Sequence, residues 1–174
     1  ADGDMTGINL GGLATVSGGT MMGLNVGGLA VVGGSEVLGV NAALIAVTTG
    51  ERHPMQYFGF HEETVVVHDD DMSVVETDMI VIDPARRSRV GWLSVAGYKV
   101  AADELEGVNL ALITTQSHDM TGLTAGIWNE VTGKQTGLSV GIYNEAEDLA
   151  GVQIGLLNHV ASNPPWARWL PIVN

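Results

Sequence analysis

Seven stretches of the chain share one alternation of apolar and polar positions. They are Gly7-Ile-Asn-Leu-Gly-Gly-Leu, Gly23-Leu-Asn-Val-Gly-Gly-Leu, Gly39-Val-Asn-Ala-Ala-Leu-Ile, Gly107-Val-Asn-Leu-Ala-Leu-Ile, Gly122-Leu-Thr-Ala-Gly-Ile-Trp, Gly137-Leu-Ser-Val-Gly-Ile-Tyr and Gly151-Val-Gln-Ile-Gly-Leu-Leu. Gly opens every copy. Positions 2 and 4 are aliphatic, down to Ala42 and Ala125, and position 5 is Gly or Ala. Position 3 is polar and uncharged throughout: Asn9, Asn25, Asn41, Asn109, Thr124, Ser139 and Gln153. A period of two is a strand signal, with alternate side chains on opposite faces. A helix would need a period near 3.6, and none is present.

No charged residue falls inside these windows, whereas the intervals between them carry Glu36, Glu51, Lys134, Glu147 and Asp148. Turn chemistry sits in the same intervals, at Ser17-Gly18-Gly19, Gly33-Gly34-Ser35 and Thr132-Gly133-Lys134. Each unit is therefore a strand, a turn, a shorter apolar stretch such as Ala14 to Val16, and another turn. Direct repetition at this spacing predicts an all-β fold, a β-solenoid of about 7–8 coils of 14–16 residues, in which equivalent positions stack as ladders. With strands about 4.8 Å apart the ladder would run about 34 Å. The alternative is an antiparallel β-meander or barrel with one strand per repeat. The units repeat in the same sense, with Trp128 and Tyr143 at the same position, and this favours the solenoid.

In this reading the aliphatic positions are the core: Ile8, Leu24, Val40, Val108, Leu123, Leu138 and Val152, with Leu10, Val26, Leu110, Val140 and Ile154 behind them. The polar column then faces out. Flanked by the small position-5 residues, Gly126, Gly141 and Gly155 among them, it would make a flat uncharged interaction face. Its bland role is an amide ladder that stabilises the stack. Its functional roles would be docking of another sheet, or presentation of polar groups to carbohydrate or ice.

The chain divides into N-terminal coils at 5–50, an interruption at 51–100, C-terminal coils at 107–160 and a cap at 161–174. The interruption holds His53, His61 and His68, and the segments Val65-Val-Val, Ser73-Val-Val and Met79-Ile-Val-Ile read as short strands. Gly91-Trp-Leu-Ser-Val-Ala-Gly reads as a degenerate coil, out of register with the columns. In the tail, Asn163-Pro-Pro-Trp-Ala-Arg-Trp-Leu-Pro cannot continue a ladder at its prolines, and Trp166 and Trp169 are suited to covering the open end of the core.

Composition narrows the function. Gly accounts for 24 of 174 residues, about twice the usual share, and the formal charge is −13 with seven basic residues. That balance disfavours nucleic acid. No Cys is present, which excludes disulfides and thiolate chemistry. No stretch has the length and apolarity of a transmembrane helix. The start at Ala1-Asp2-Gly3 fits a mature end after signal-peptide removal, so a secreted or surface setting is expected.

Among candidate sites, Asp69, Asp70 and Asp71 beside His68 could gather oxygen ligands for Ca²⁺, but lack the spacing of a known loop; a solvated turn accounts for them. The histidines with Glu62 and Glu63 show no metal-binding spacing. The windows contain no acid to form a carboxylate pair, and Ser94, Ser117 and Ser139 lack a nucleophile elbow. No cofactor and no enzyme activity are expected.

Gly137-Leu-Ser-Val-Gly-Ile-Tyr-Asn and Gly151-Val-Gln-Ile-Gly-Leu-Leu-Asn, with the Trp/Pro-rich close, resemble the bacterial surface repeat proteins of spirochaetes and other groups. Their pattern is near Gly-Leu-x-Leu-Gly-Leu-x-Asn. The resemblance spans 107–174, is looser over 5–47, and omits the interruption. It implies export and an envelope setting without an assigned reaction. The expected role is a structural surface component that self-assembles, with homo-oligomers or other envelope proteins as partners.

Overall fold

Every repeat window forms a strand that pairs in parallel with its copy one turn along. The computed structural model describes residues 3–49 and 87–174. The long arms are β1 (Met5–Gly11), β3 (Thr20–Gly27), β5 (Glu36–Ala43), β7 (Arg89–Ala96), β9 (Glu104–Ala111) and β11 (Asp119–Ala125). The short arms are β2 (Ala14–Ser17), β4 (Ala30–Gly33), β6 (Ala46–Thr49), β8 (Lys99–Ala101) and β10 (Thr114–Ser117). Further on, β12 (Trp128–Val140) and β13 (Tyr143–Val160) run through the corners and serve both arms. The result is a β-solenoid of about eight turns.

Register follows the repeat: Asn9 stands on Asn25, Asn25 on Asn41, Asn109 on Thr124, Thr124 on Ser139 and Ser139 on Gln153. The coil that the sequence suggested was out of register is in register. Gly39 pairs with Trp92 and Asn41 with Ser94, so Trp92 occupies position 1 of a full coil. A window search keyed on Gly91 misses it by one residue. The interruption does not break the stack, because β5 pairs directly with β7 and β6 with β8. The three strand segments expected at Val65, Ser73 and Met79 lie outside the described residues.

The position-1 glycines have a backbone reason. Gly7, Gly23, Gly39, Gly107, Gly122 and Gly137 all have φ between 82° and 122°. This region suits Gly because it has no Cβ. A Cβ on Gly23 would also strike the carbonyl of Gly7 one coil away.

The alternation is as expected, but its sign is reversed. Position 3 points inward, where Asn25, Asn41, Ser94, Asn109, Ser139 and Gln153 are all fully buried. The aliphatic positions 2 and 4 point outward: Ile8 is 73% exposed, and Leu24, Val40, Val108, Val152, Val140 and Ile154 are exposed as well. The apolar core comes from residues two before each Gly and from the short arms. It comprises Met21, Val37, Val90, Leu105 and Met120 packed with Val31, Val47, Val100, Val131 and Ala146.

The cap also differs from expectation. Trp166 is 82% exposed, and Trp169 packs on the outer side against His159 and Tyr143. The end is closed by backbone instead, by β14 (Trp169–Val173) pairing antiparallel to β13. Pairing skips Pro171, running from Asn158↔Leu170 to Gly155↔Ile172. A missing N–H can be tolerated on an edge strand, and a proline there also blunts further strand addition.

The inverted phase sets a test. Ser139→Asp places a charge among buried groups with no cation partner, so a loss of more than about 3 kcal/mol in denaturant unfolding is expected. Val140→Asp, on the outer surface, should cost far less. Equal losses would contradict the assigned faces.

Candidate functional site

The predicted polar interaction residues all lie inside the coil. Asn9 Nδ2 donates to Asn25 Oδ1 at 2.7 Å, Asn25 Nδ2 to Asn41 Oδ1 at 2.7 Å, and Asn41 Nδ2 to Ser94 Oγ at 3.2 Å. Farther along, Thr124 and Ser139 hydroxyls lie 2.8 Å apart, and Gln153 Nε2 donates to Gln135 Oε1 at 2.9 Å. Asn109 Nδ2 donates to the Glu106 carbonyl at 3.3 Å. This column therefore links coils one to four and six to eight from the inside, with Asn109 bonded within its own coil, and its side chains face away from solvent.

A second amide ladder occupies the short arm. Thr115 Oγ1 donates to Asn129 Oδ1, Asn129 Nδ2 to Asn144 Oδ1 and Asn144 Nδ2 to Asn158 Oδ1, each at 2.7 Å. Asn158 Nδ2 then donates to the Leu170 carbonyl of the cap at 3.2 Å. The recurring Asn after each of the last three windows was the sequence signal for this ladder.

The position-5 residues are small for an internal reason. A Cβ on Gly141 would come within 2.5 Å of Asn129 Nδ2, and one on Gly126 within 3.0 Å of Asn129 Oδ1. On Gly155 it would meet Asn144 Nδ2 at 2.6 Å. The amide fills the corner that a larger residue would need. Gly126, Gly141 and Gly155 are thus packing positions and form no docking face, which corrects the expectation.

What lies outside is the aliphatic surface. From position 1 to position 7, all eight coils, Trp92-Leu-Ser-Val-Ala-Gly-Tyr included, lack a charged residue. Positions 2 and 4 form two parallel outward columns, and the corner adds Leu13, Leu44, Leu112, Ile142 and Leu156. A shallow trough runs between position 4 and the corner, lined by Val95, Leu110, Leu112, Ile127, Val140 and Ile142. Monomeric proteins seldom leave contiguous apolar patches beyond a few hundred Å² uncovered. The sequence named these residues correctly as one set and placed the set on the wrong side.

The charges gather along the rim. Arg89 Nη2 meets Glu36 Oε1 at 2.8 Å, and Arg87 Nη1 meets Asp119 Oδ2 at 2.6 Å. Burial works to raise the Asp119 carboxyl, but the Lys134 backbone N–H, His118 and Arg87 outweigh it and hold it below its ordinary value. Its contribution to stability is therefore present at neutral pH and lost as pH falls through that lowered value.

On the outer short arm an aromatic cluster closes the C-terminal coils. Trp128 and Tyr143 rings lie 4.4 Å apart, and His159 stacks on Trp169 at 4.1 Å. Tyr143 Oη donates to Glu145 Oε2 at 2.9 Å, and His159 Nδ1 lies 3.3 Å from Glu145 Oε1. Burial first, then the hydrogen bond and charge of Glu145, push the Tyr143 phenol up to about 12. Asp69, Asp70 and Asp71 lie outside the described residues, as do His53, His61, His68, Glu62 and Glu63.

Two measurements check this arrangement. Asn144→Ala should lower stability by about 3 kcal/mol in denaturant unfolding, because it strips partners from Asn158 and from the Ile154 carbonyl. In an absorbance titration, Tyr143, identified by Tyr143→Phe, should ionise near 12, and Glu145→Gln should lower that value while burial still holds it above the ordinary phenol value. Since the folded value is raised, the associated stability is present below about pH 10 and lost as pH rises through the folded value. No family model, curated protein or solved structure matches this chain.

Proposed function

We propose that the protein is a structural repeat protein of a secreted or cell-surface setting that self-assembles through its aliphatic outer face. The observation that carries this reading is the concentration of outward aliphatic side chains, eight coils long and without charge, in a chain of net charge −13. A surface that needed only solubility would alternate charges there. Burial of such a surface is worth about 25 cal/mol per Å² in transfer terms, a driving force that a lone subunit leaves unused. The carbohydrate- or ice-binding alternative rested on a polar ladder facing solvent, and those side chains point into the coil. Reaction chemistry has no residue set to support it on this face.

Association of an acidic chain through an apolar face has a signature. Added salt screens the repulsion between copies without weakening the apolar contact, so the associated fraction should rise with ionic strength. Light scattering across a concentration series should give masses above the monomer. The double variant Val95→Lys/Val140→Lys should return the protein to monomer with its β-sheet circular dichroism intact. A wild-type chain that stays monomeric at every concentration and salt level would refute the reading.

A further inference from the structure

Trp92 is the exception in a column otherwise made of Gly. It has φ of 82°, a left-handed conformation that Gly adopts freely and that is costly for a bulky side chain. Its indole is 73% exposed, so burial against the described residues does not compensate the strain. It stands in the fourth of eight coils, midway along the stack and at the edge of the aliphatic face that borders the charged rim, beside Leu93. Large aromatics are the usual anchors of protein interfaces.

We infer that Trp92 anchors a closed two-fold dimer, in which its ring packs on the position-1 column of a second copy at the partner subunit's Gly107. This rests on the proposed assembly through the aliphatic face and names the occupant of that face. The geometry follows from the columns. Two flat faces packed on each other are related by an axis lying between them. An axis along the strands keeps each position opposite the same position and reverses the order of the coils. Trp92, in the fourth coil, then comes opposite the fifth coil, whose position 1 is Gly107. Gly107 is Gly because a Cβ there would strike the Trp92 carbonyl of its own subunit, and it therefore sets no side chain against the partner's ring.

The same axis sets Arg89 opposite the partner subunit's Glu104 at the rim, twice by symmetry. It also brings Glu36 and Asp119 opposite each other, each already paired with an arginine of its own subunit. Size is adequate. Eight strands about 4.8 Å apart and seven residues of strand and corner give about 700 Å² per copy, or about 1,400 Å² for the pair, within the range of stable interfaces. A contact of this symmetry closes on itself, so assembly through it stops at two copies. At the C-terminal end, β14 and Pro171 disfavour end-to-end growth of the stack.

The test uses the full chain and the variant Trp92→Gly, which restores the column. In sedimentation equilibrium the wild type should saturate at twice the monomer mass. Trp92→Gly should weaken the dimer by at least about 30-fold, the loss expected of an interface anchor. Diluted to monomers, the same variant should melt at a higher temperature than the wild type, because the backbone strain is gone. Association and subunit stability thus move in opposite directions, which a misfolded variant cannot reproduce. Val95→Lys/Val140→Lys serves as the control for the face itself. If that control dissociates the protein while Trp92→Gly leaves the dimer intact, the anchor is refuted and the face reading stands. Growth of the wild type beyond two copies overturns the closed dimer. A wild type that is monomeric throughout refutes both.

Discussion

Parallel, in-register stacking is the constraint from which the rest of this structure follows. When each coil sits directly on its copy, a side-chain amide meets an identical amide about 4.8 Å away, one coil along the stack. Its N–H and C=O can then be satisfied without water. Asn9, Asn25 and Asn41 form one such relay, and Asn129, Asn144 and Asn158 form another that ends on the cap. Buried polar groups are costly when unpaired and tolerable when fully paired. The interior of this solenoid accordingly combines amide and hydroxyl side chains with aliphatic ones.

The two relays occupy different arms at different heights of the stack. In the first three coils the Asn relay runs on the long arm, and in the last three it runs on the short arm, while the long arm there buries Gln135 and Gln153. Position 5 responds to the change. Where a short-arm Asn reaches into the corner, position 5 is Gly; in the middle coils, with Val47, Val100 and Thr115 on the short arm, it is Ala43, Ala96 and Ala111. At Gly126, Gly141 and Gly155 the small column and the Asn column are one packing solution, whereas at Gly11 and Gly27, beside Thr15 and Val31, a Cβ is excluded by the Ala14 and Ala30 carbonyls. Among the described residues, the surface set free by this solution is the aliphatic one.

Much of the fold was legible in the chain. The repeat, its strand character, the shared faces, the parallel sense of the units and the place of the interruption all follow from spacing and alternation, which are local properties. The failure at Trp92 has a local cause too: the repeat was keyed on Gly, and one coil replaces Gly with a residue that normally avoids that backbone region. The ladder of Asn129, Asn144 and Asn158 was visible as a recurrence, although its role was not.

Alternation alone determined which residues of this protein stand together; only the tertiary structure decided which set faces the core. A period of two is unchanged when the strand is turned over, and the usual choice of apolar side chains inward assumes that buried amides have nowhere to bond. That assumption fails here because partners come from residues 14 to 16 positions away in sequence, brought into contact only by stacking. Likewise the prolines of the tail fixed where parallel pairing must end, while the antiparallel return of β14 depended on the geometry of the last coil. The outward aliphatic face, and Trp92 upon it, exist as a surface only after the inside has been filled by something else.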